Sequence, residues 1–207
     1  MSLSSYPDLR ESIQDWTQRE DIGQNIDAFI ALVEADLNRR LRVKDMLTRD
    51  TFAASSQYTA LPSDYLEMDR LTITSTTPDK ELRFLTPQMM SGLRKEHSES
   101  GEPIYYSIVE DNVELLPSPA DSYTLERLYF ARVAALTATN TTNWIITNHP
   151  DIYLHGCLHH AYAWAMDESR SQFHKALYED AVEKVRNTDR NARAGQRPVM
   201  RTKTFGG

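Results

Sequence analysis

His155, Cys157, His159 and His160 fall within six positions and carry groups able to hold a metal or attack a substrate. His155 and His159 are four residues apart, so on a helix they share a face, a spacing compatible with two metal ligands. The zincin arrangement needs Glu directly after the first His, and here that position is Gly156. Cys157 points to another side of the same helix, and no third ligand is signalled. As a nucleophile Cys157 would need a base and an activating environment; its apolar neighbours read it instead as a packed core cysteine. Paired carboxylates such as Asp167/Glu168 are what 30 acids produce by chance, and they single out no site. With 7 glycines, neither a phosphate-cradling loop nor a dinucleotide fingerprint can be written. These residues therefore predict no catalytic residue, no metal site and no cofactor, and they favour a binding or structural role over an enzyme.

The elements that would position these groups are legible in outline. Residues 6–18 read as a helix, with Ser5 as its cap, Pro7 in its first turn, and Leu9, Ile13 and Trp16 on one stripe. The clearest pattern follows: Ile22, Ile26, Phe29, Ile30, Val33, Leu37 and Leu41 recur at helical spacing and predict a helix over about 24–42. From about 43 to 136 the periods shorten and turn signals recur. Residues 66–74 alternate, with Met68, Arg70, Thr72 and Thr74 on one face and Asp69, Leu71 and Ile73 on the other. Residues 80–85 can pair back, and Thr86-Pro87 starts a short helix. Residues 105–109 and 113–116 form a hairpin, and 123–130 a further strand.

A last helix begins at Asn148-His149-Pro150 and runs to about 186, with a bend or break over 167–172. Its stripes are Tyr153, Cys157, Ala161, Trp164 and Ala165, then Phe173, Leu177, Ala181 and Val185. The expected fold is α+β: a helical bundle from the N- and C-terminal helices, with an inserted small antiparallel β unit and an extended C-terminal arm. The divisions are 1–43 and 137–188 for the bundle, 44–136 for the β insertion, and 189–207 for a flexible basic arm.

Composition agrees with a globular chain. Its 207 residues are 40% hydrophobic and 26% charged, and no run approaches the roughly 20 apolar residues of a membrane span. A single cysteine excludes an intrachain disulfide, and Met1–Ser5 lacks the blocks of a signal peptide, so folding in a reducing cytoplasm is expected. Net charge is -7 but unevenly placed. The tail from 186 carries six cations (Arg186, Arg190, Arg193, Arg197, Arg201 and Lys203) against one acid, Asp189. A basic tail on an acidic body can bind nucleic acid, an acidic protein surface or a neighbouring copy, or it can simply be a solvated end.

Several phrases, in order, resemble the head-to-tail adaptor (connector) proteins of tailed bacteriophages. They include Tyr6-Pro7-Asp8-Leu9, the helix from Ile26 to Arg39, Leu61-Pro62-Ser63-Asp64-Tyr65, Pro103-Ile104-Tyr105-Tyr106, Leu115-Leu116-Pro117-Ser118-Pro119, Thr142-Asn143-Trp144 and Pro150-Asp151-Ile152-Tyr153. The resemblance covers most of residues 6–190.

It implies a virion protein at the head-tail junction, assembled in the host bacterial cytoplasm. Twelve copies would form a ring under the portal ring and offer a platform to the tail or the next connector ring. Genomic DNA would pass through without sequence-specific binding, and no membrane would be involved. By similarity the arm would dock on the portal through Arg190, Arg193, Arg197, Arg201 and Lys203. A virion-associated cell-wall hydrolase, a tail-completion ring and a DNA-binding protein are the alternatives.

Overall fold

The computed structural model describes residues 3–19 and 21–193. Among them the chain runs α1 (Tyr6–Thr17), α2 (Ile26–Arg40), β1 (Leu47–Ala54), β2 (Tyr58–Ala60), β3 (Tyr65–Ile73), β4 (Lys80–Glu81) and β5 (Arg83–Phe84). It continues through α3 (Pro87–Leu93), β6 (Tyr105–Val109), β7 (Asn112–Leu116), β8 (Tyr123–Ala131), α4 (Trp144–Asn148), α5 (Pro150–Trp164) and α6 (Glu168–Arg193). This is an α+β chain in two units: a helical one formed up to Asp45 and again from Ala134, and a β-rich one over Met46–Val133.

In the helical unit α1 starts where Ser5 Oγ accepts from the Asp8 N–H, with Pro7 in the first turn. The Ile22-to-Leu41 stripe is buried along its whole length and forms the centre of the core with Leu9, Ile13, Ile152, Tyr153, Cys157 and Leu158. Two features depart from the sequence reading. Asn143 caps a short extra helix, α4, its Oδ1 accepting from the N–H groups of Ile145 and Ile146. The last helical run is two helices packed antiparallel, broken at 165–167 rather than within 167–172, and the second continues to Arg193.

The buried face of α6 also differs from the expected one. Phe173 is 60% exposed, whereas Ser171, His174, Tyr178 and Asp189 are buried with Ala181, Val182 and Val185. Each of these polar side chains has a partner, and a satisfied polar group is buried at small net cost. Tyr178 OH donates to Asp36 at 2.7 Å, Ser171 Oγ contacts His159 Nδ1 at 2.9 Å, and Asp189 Oδ1 accepts from the Lys44 N–H at 2.7 Å.

The β-rich unit holds two four-stranded sheets, in the orders β1-β8-β3-β4 and β2-β7-β6-β5. They share a core of Ala54, Leu71, Ile73, Leu82, Tyr106, Val113, Leu115 and Leu125. The unit is not purely antiparallel, because β5 runs parallel to β6. Residues 80–84 change sheets at the buried Leu82: β4 pairs with β3 in one sheet, and β5 joins the other.

The expected alternation along β3 fails at a bulge. The ladder pairs Met68 with Tyr129 and Arg70 with Leu128, skipping Asp69. Met68 therefore packs on the core with Leu71 and Ile73 instead of facing away from them. The β6–β7 hairpin closes with a two-residue turn, and Glu110 takes φ 54°.

Ser107 on β6 is fully buried, and its Oγ is the one buried side-chain oxygen or nitrogen without a hydrogen-bond partner among the described residues. Ser107→Ala removes that unpaired hydroxyl and is expected to stabilise the protein by about 1 kcal/mol. A urea melt checks it, and a loss of stability would mean that the hydroxyl has a partner in solution.

Candidate functional site

The cluster predicted on the last helix lies on α5, and its members are held apart in function. Cys157 is fully buried, and that burial pushes its thiol far above the ordinary range, leaving it protonated and inert. His155 and His159 do not converge on a common point. His155 Nδ1 faces His174 Nδ1 on α6 at 3.2 Å, and His159 Nδ1 is engaged by Ser171 Oγ. His174 lies between aromatic neighbours: Tyr162 stacks on it at 5.4 Å, while Trp16 and Phe173 meet it edge-on. Burial holds His155, His160 and His174 below the ordinary histidine range, which favours neutral rings suited to packing. Among the described residues no three His, Cys, Asp or Glu side chains are grouped to hold a metal ion.

The carboxylates singled out beside this cluster serve the start of α6. Asp167 Oδ1 accepts from the Arg170 N–H at 3.1 Å, and Glu168 accepts from Gln172.

The basic residues assigned to an arm fall in two places. Arg190 and Arg193 lie on α6, which runs five residues past the expected bundle boundary at 188 and whose last turns are tied down by Asp189. Asp189, the lone acid of the basic run, is buried; it accepts from the Lys44 N–H and pairs with Arg193 at 2.8 Å. Arg197, Arg201 and Lys203 lie outside the described residues.

Arg190 and Arg193 line a groove of about 590 Å³ together with Arg40, Arg42 and Arg186, against two acids, Glu183 and Asp189. Arg40 ends α2 and Arg42 lies just past its Leu41 cap, and the spacing of the sequence does not join them to the C-terminal basic run. The available signal was weak. A cation in the last turn of a helix is ordinarily explained by the helix dipole, and Arg42 does donate to the Asn38 and Leu41 carbonyls there. Arg40 is engaged by Asp36 and Glu179, Arg186 by Glu183 and Arg193 by Asp189, but the lining holds five cations against two acids, a surplus that attracts carboxylates or phosphates.

The model of the SU10 adaptor protein family matches residues 4–201. The chain belongs to that family. It is thus a structural adaptor of the phage head-to-tail junction, a component of the virion. No curated protein matches the sequence of this adaptor. No helix among the adaptor's described residues is long and apolar enough to cross a membrane. A structural role accords with the α5 cluster, whose histidines and cysteine are spent on packing and hydrogen bonds.

Proposed function

We propose that the adaptor forms a ring of twelve copies beneath the portal, extends the DNA channel, and offers its far side to the tail or to the next connector ring. DNA would pass through without sequence-specific contacts. The acidic balance of the chain outside its C-terminal run supports this, since acidic walls repel phosphates and let the genome slide. The portal contact is assigned to the basic end of the chain: Arg190, Arg193, Arg197, Arg201 and Lys203. The observation that carries this assignment is the gathering of Arg40, Arg42 and Arg186 beside Arg190 and Arg193 in one groove. Such a surface would receive an acidic face of the portal, and its attraction would weaken as salt rises. Assembly would take place in the host cytoplasm.

The test is the native mass of the protein alone and with the portal protein encoded nearby in the same genome. A fixed twelvefold complex on the portal is the expected result, and no association would remove the proposal. Deletion of the basic end should begin after Arg193, since cutting at Asp189 would also uncap Lys44 and confound binding with folding. Removing residues 194–207 is expected to weaken the portal complex about tenfold or more at low salt. Unchanged affinity would move the portal contact elsewhere.

A further inference from the structure

The break between α5 and α6 is a Schellman turn. The Met166 N–H bonds to the Ala163 carbonyl at 3.1 Å, and the Asp167 N–H to the Tyr162 carbonyl at 2.9 Å. The residue that must take the left-handed conformation in such a turn is ordinarily glycine. Here it is Met166, at φ 58°, a residue 93% exposed. The backbone thus carries the strain of a side chain that contributes almost no packing within the molecule. Trp164, two residues earlier, is also 45% exposed, with the Arg19 guanidinium over its ring. A local rule broken for an apolar side chain that points into solvent marks a group used between molecules.

A groove of a size to take such a side chain lies on the same helical unit. Between α2, α5 and α6 lies a groove of about 310 Å³ with Leu32, Val33, Gly156 and Tyr178 among its lining residues, and with Arg39 and Lys175 also lining it. Leu32 is itself 51% exposed. The charges are complementary in sign: Asp167 and Glu168 directly follow the knob, whereas Arg39 and Lys175 belong to the groove; within one copy Asp167 also pairs with Arg170 and Arg39 with Asp36, both at the solvent-facing surface. Asp36 and Glu179, also in the groove, are both held by Arg40.

We propose that Met166 of one copy of this chain inserts into the α2–α5–α6 groove of the next, with Asp167 and Glu168 facing Arg39 and Lys175. Such a contact is head-to-tail, and repeated it closes a ring. It rests on the ring reading above and names the surfaces that build the ring.

The test uses cysteine pairs in the full chain, where the native Cys157 is buried. Under mild oxidation the double variant Leu32→Cys, Met166→Cys is expected to give a reducible ladder of linked copies, and neither single variant should do so. Met166→Gly supplies an independent arm. It relaxes the turn, so Tm should rise by roughly 2–4 °C, while self-association weakens at least tenfold.

Absence of the ladder, or linked dimers only, in a preparation whose native mass shows a multi-copy ring would overturn the inference and leave the ring reading intact. So would a Met166→Gly protein that assembles normally, or one that loses only its binding to the portal protein. Absence of any multi-copy assembly, alone or on the portal, would remove the ring reading and this inference with it.

Discussion

Glu34→Ala is expected to destabilise the protein by about 3 kcal/mol, because it strands two buried donors at once. Glu34 lies on α2 and is 7% exposed. Its Oε1 accepts from the Leu136 N–H at 2.7 Å and from Tyr153 OH at 3.0 Å. The network continues, since Asn143 Nδ2 donates to Tyr153 OH at 2.7 Å and to the Ala134 carbonyl at 2.8 Å. One carboxylate therefore ties the segment entering α4 to both α2 and α5.

Burial raises the Glu34 carboxyl above its ordinary range, and the two donated hydrogen bonds only partly oppose this. A carboxyl that binds its proton more tightly when folded favours the fold below the ordinary glutamate range, and that contribution is lost as pH rises through the folded value. Glu34→Gln keeps an acceptor oxygen and removes the charge. It should stay within about 1 kcal/mol of the natural protein at neutral pH, and the part of the stability change that comes from Glu34 above about pH 4 should vanish. Denaturant melts at several pH values measure both effects. A Gln variant as damaged as the Ala variant would sink this account.

Gly156→Ala is expected to cost about 1–3 kcal/mol, although alanine is by itself the better helix former by about 1 kcal/mol. A Cβ at Gly156 would stand 2.8 Å from Val33 Cγ2 and 3.1 Å from both Val33 Cγ1 and Tyr178 Cδ2. Val33 is β-branched and buried, so it has no free rotamer to retreat into. Tyr178 is pinned by its hydrogen bond to Asp36. The clash is therefore with side chains that cannot yield, and α2 and α6 must move away from α5.

Val33→Ala alone leaves a cavity and also destabilises. Combined with Gly156→Ala it should recover part of the loss, giving a favourable coupling in a double-mutant cycle. Additive losses in thermal melts would show that the close approach at Gly156 does not limit the packing.

Strongly periodic helices were legible because their apolar residues bury with little help from partners. The Ile22-to-Leu41 stripe is wholly buried, as its spacing requires. Where burial depended on a hydrogen-bond partner far along the chain, the reading failed. His174 and Tyr178 look like surface residues until His155 and Asp36 are brought beside them, and the apolar stripe points to Phe173 where the fold buries His174. The bulge at Asp69 escaped for a related reason. Alternation assumes an unbroken register, and the register of β3 is set by β8, more than fifty residues away.

The candidate surfaces divide in the same way. Arg190 and Arg193 stood out as a basic run, but Arg40 and Arg42 joined them only through folding. The α5 histidines shared a face by spacing alone, yet their inertness depends on which groups of α6 they meet.

The sequence by itself determined the α+β class, the long apolar stripe of α2, the β6–β7 hairpin, and the ordered phrases that carry the adaptor resemblance. All of these are set by local propensity and near-neighbour spacing. The tertiary structure alone decided the polar face that α6 buries, the sharing of residues 80–84 between two sheets, the rooting of the basic end through Asp189, and the exposed left-handed Met166. Each of these depends on a partner distant in the chain or on a backbone angle. Neither is encoded in the spacing of side-chain types.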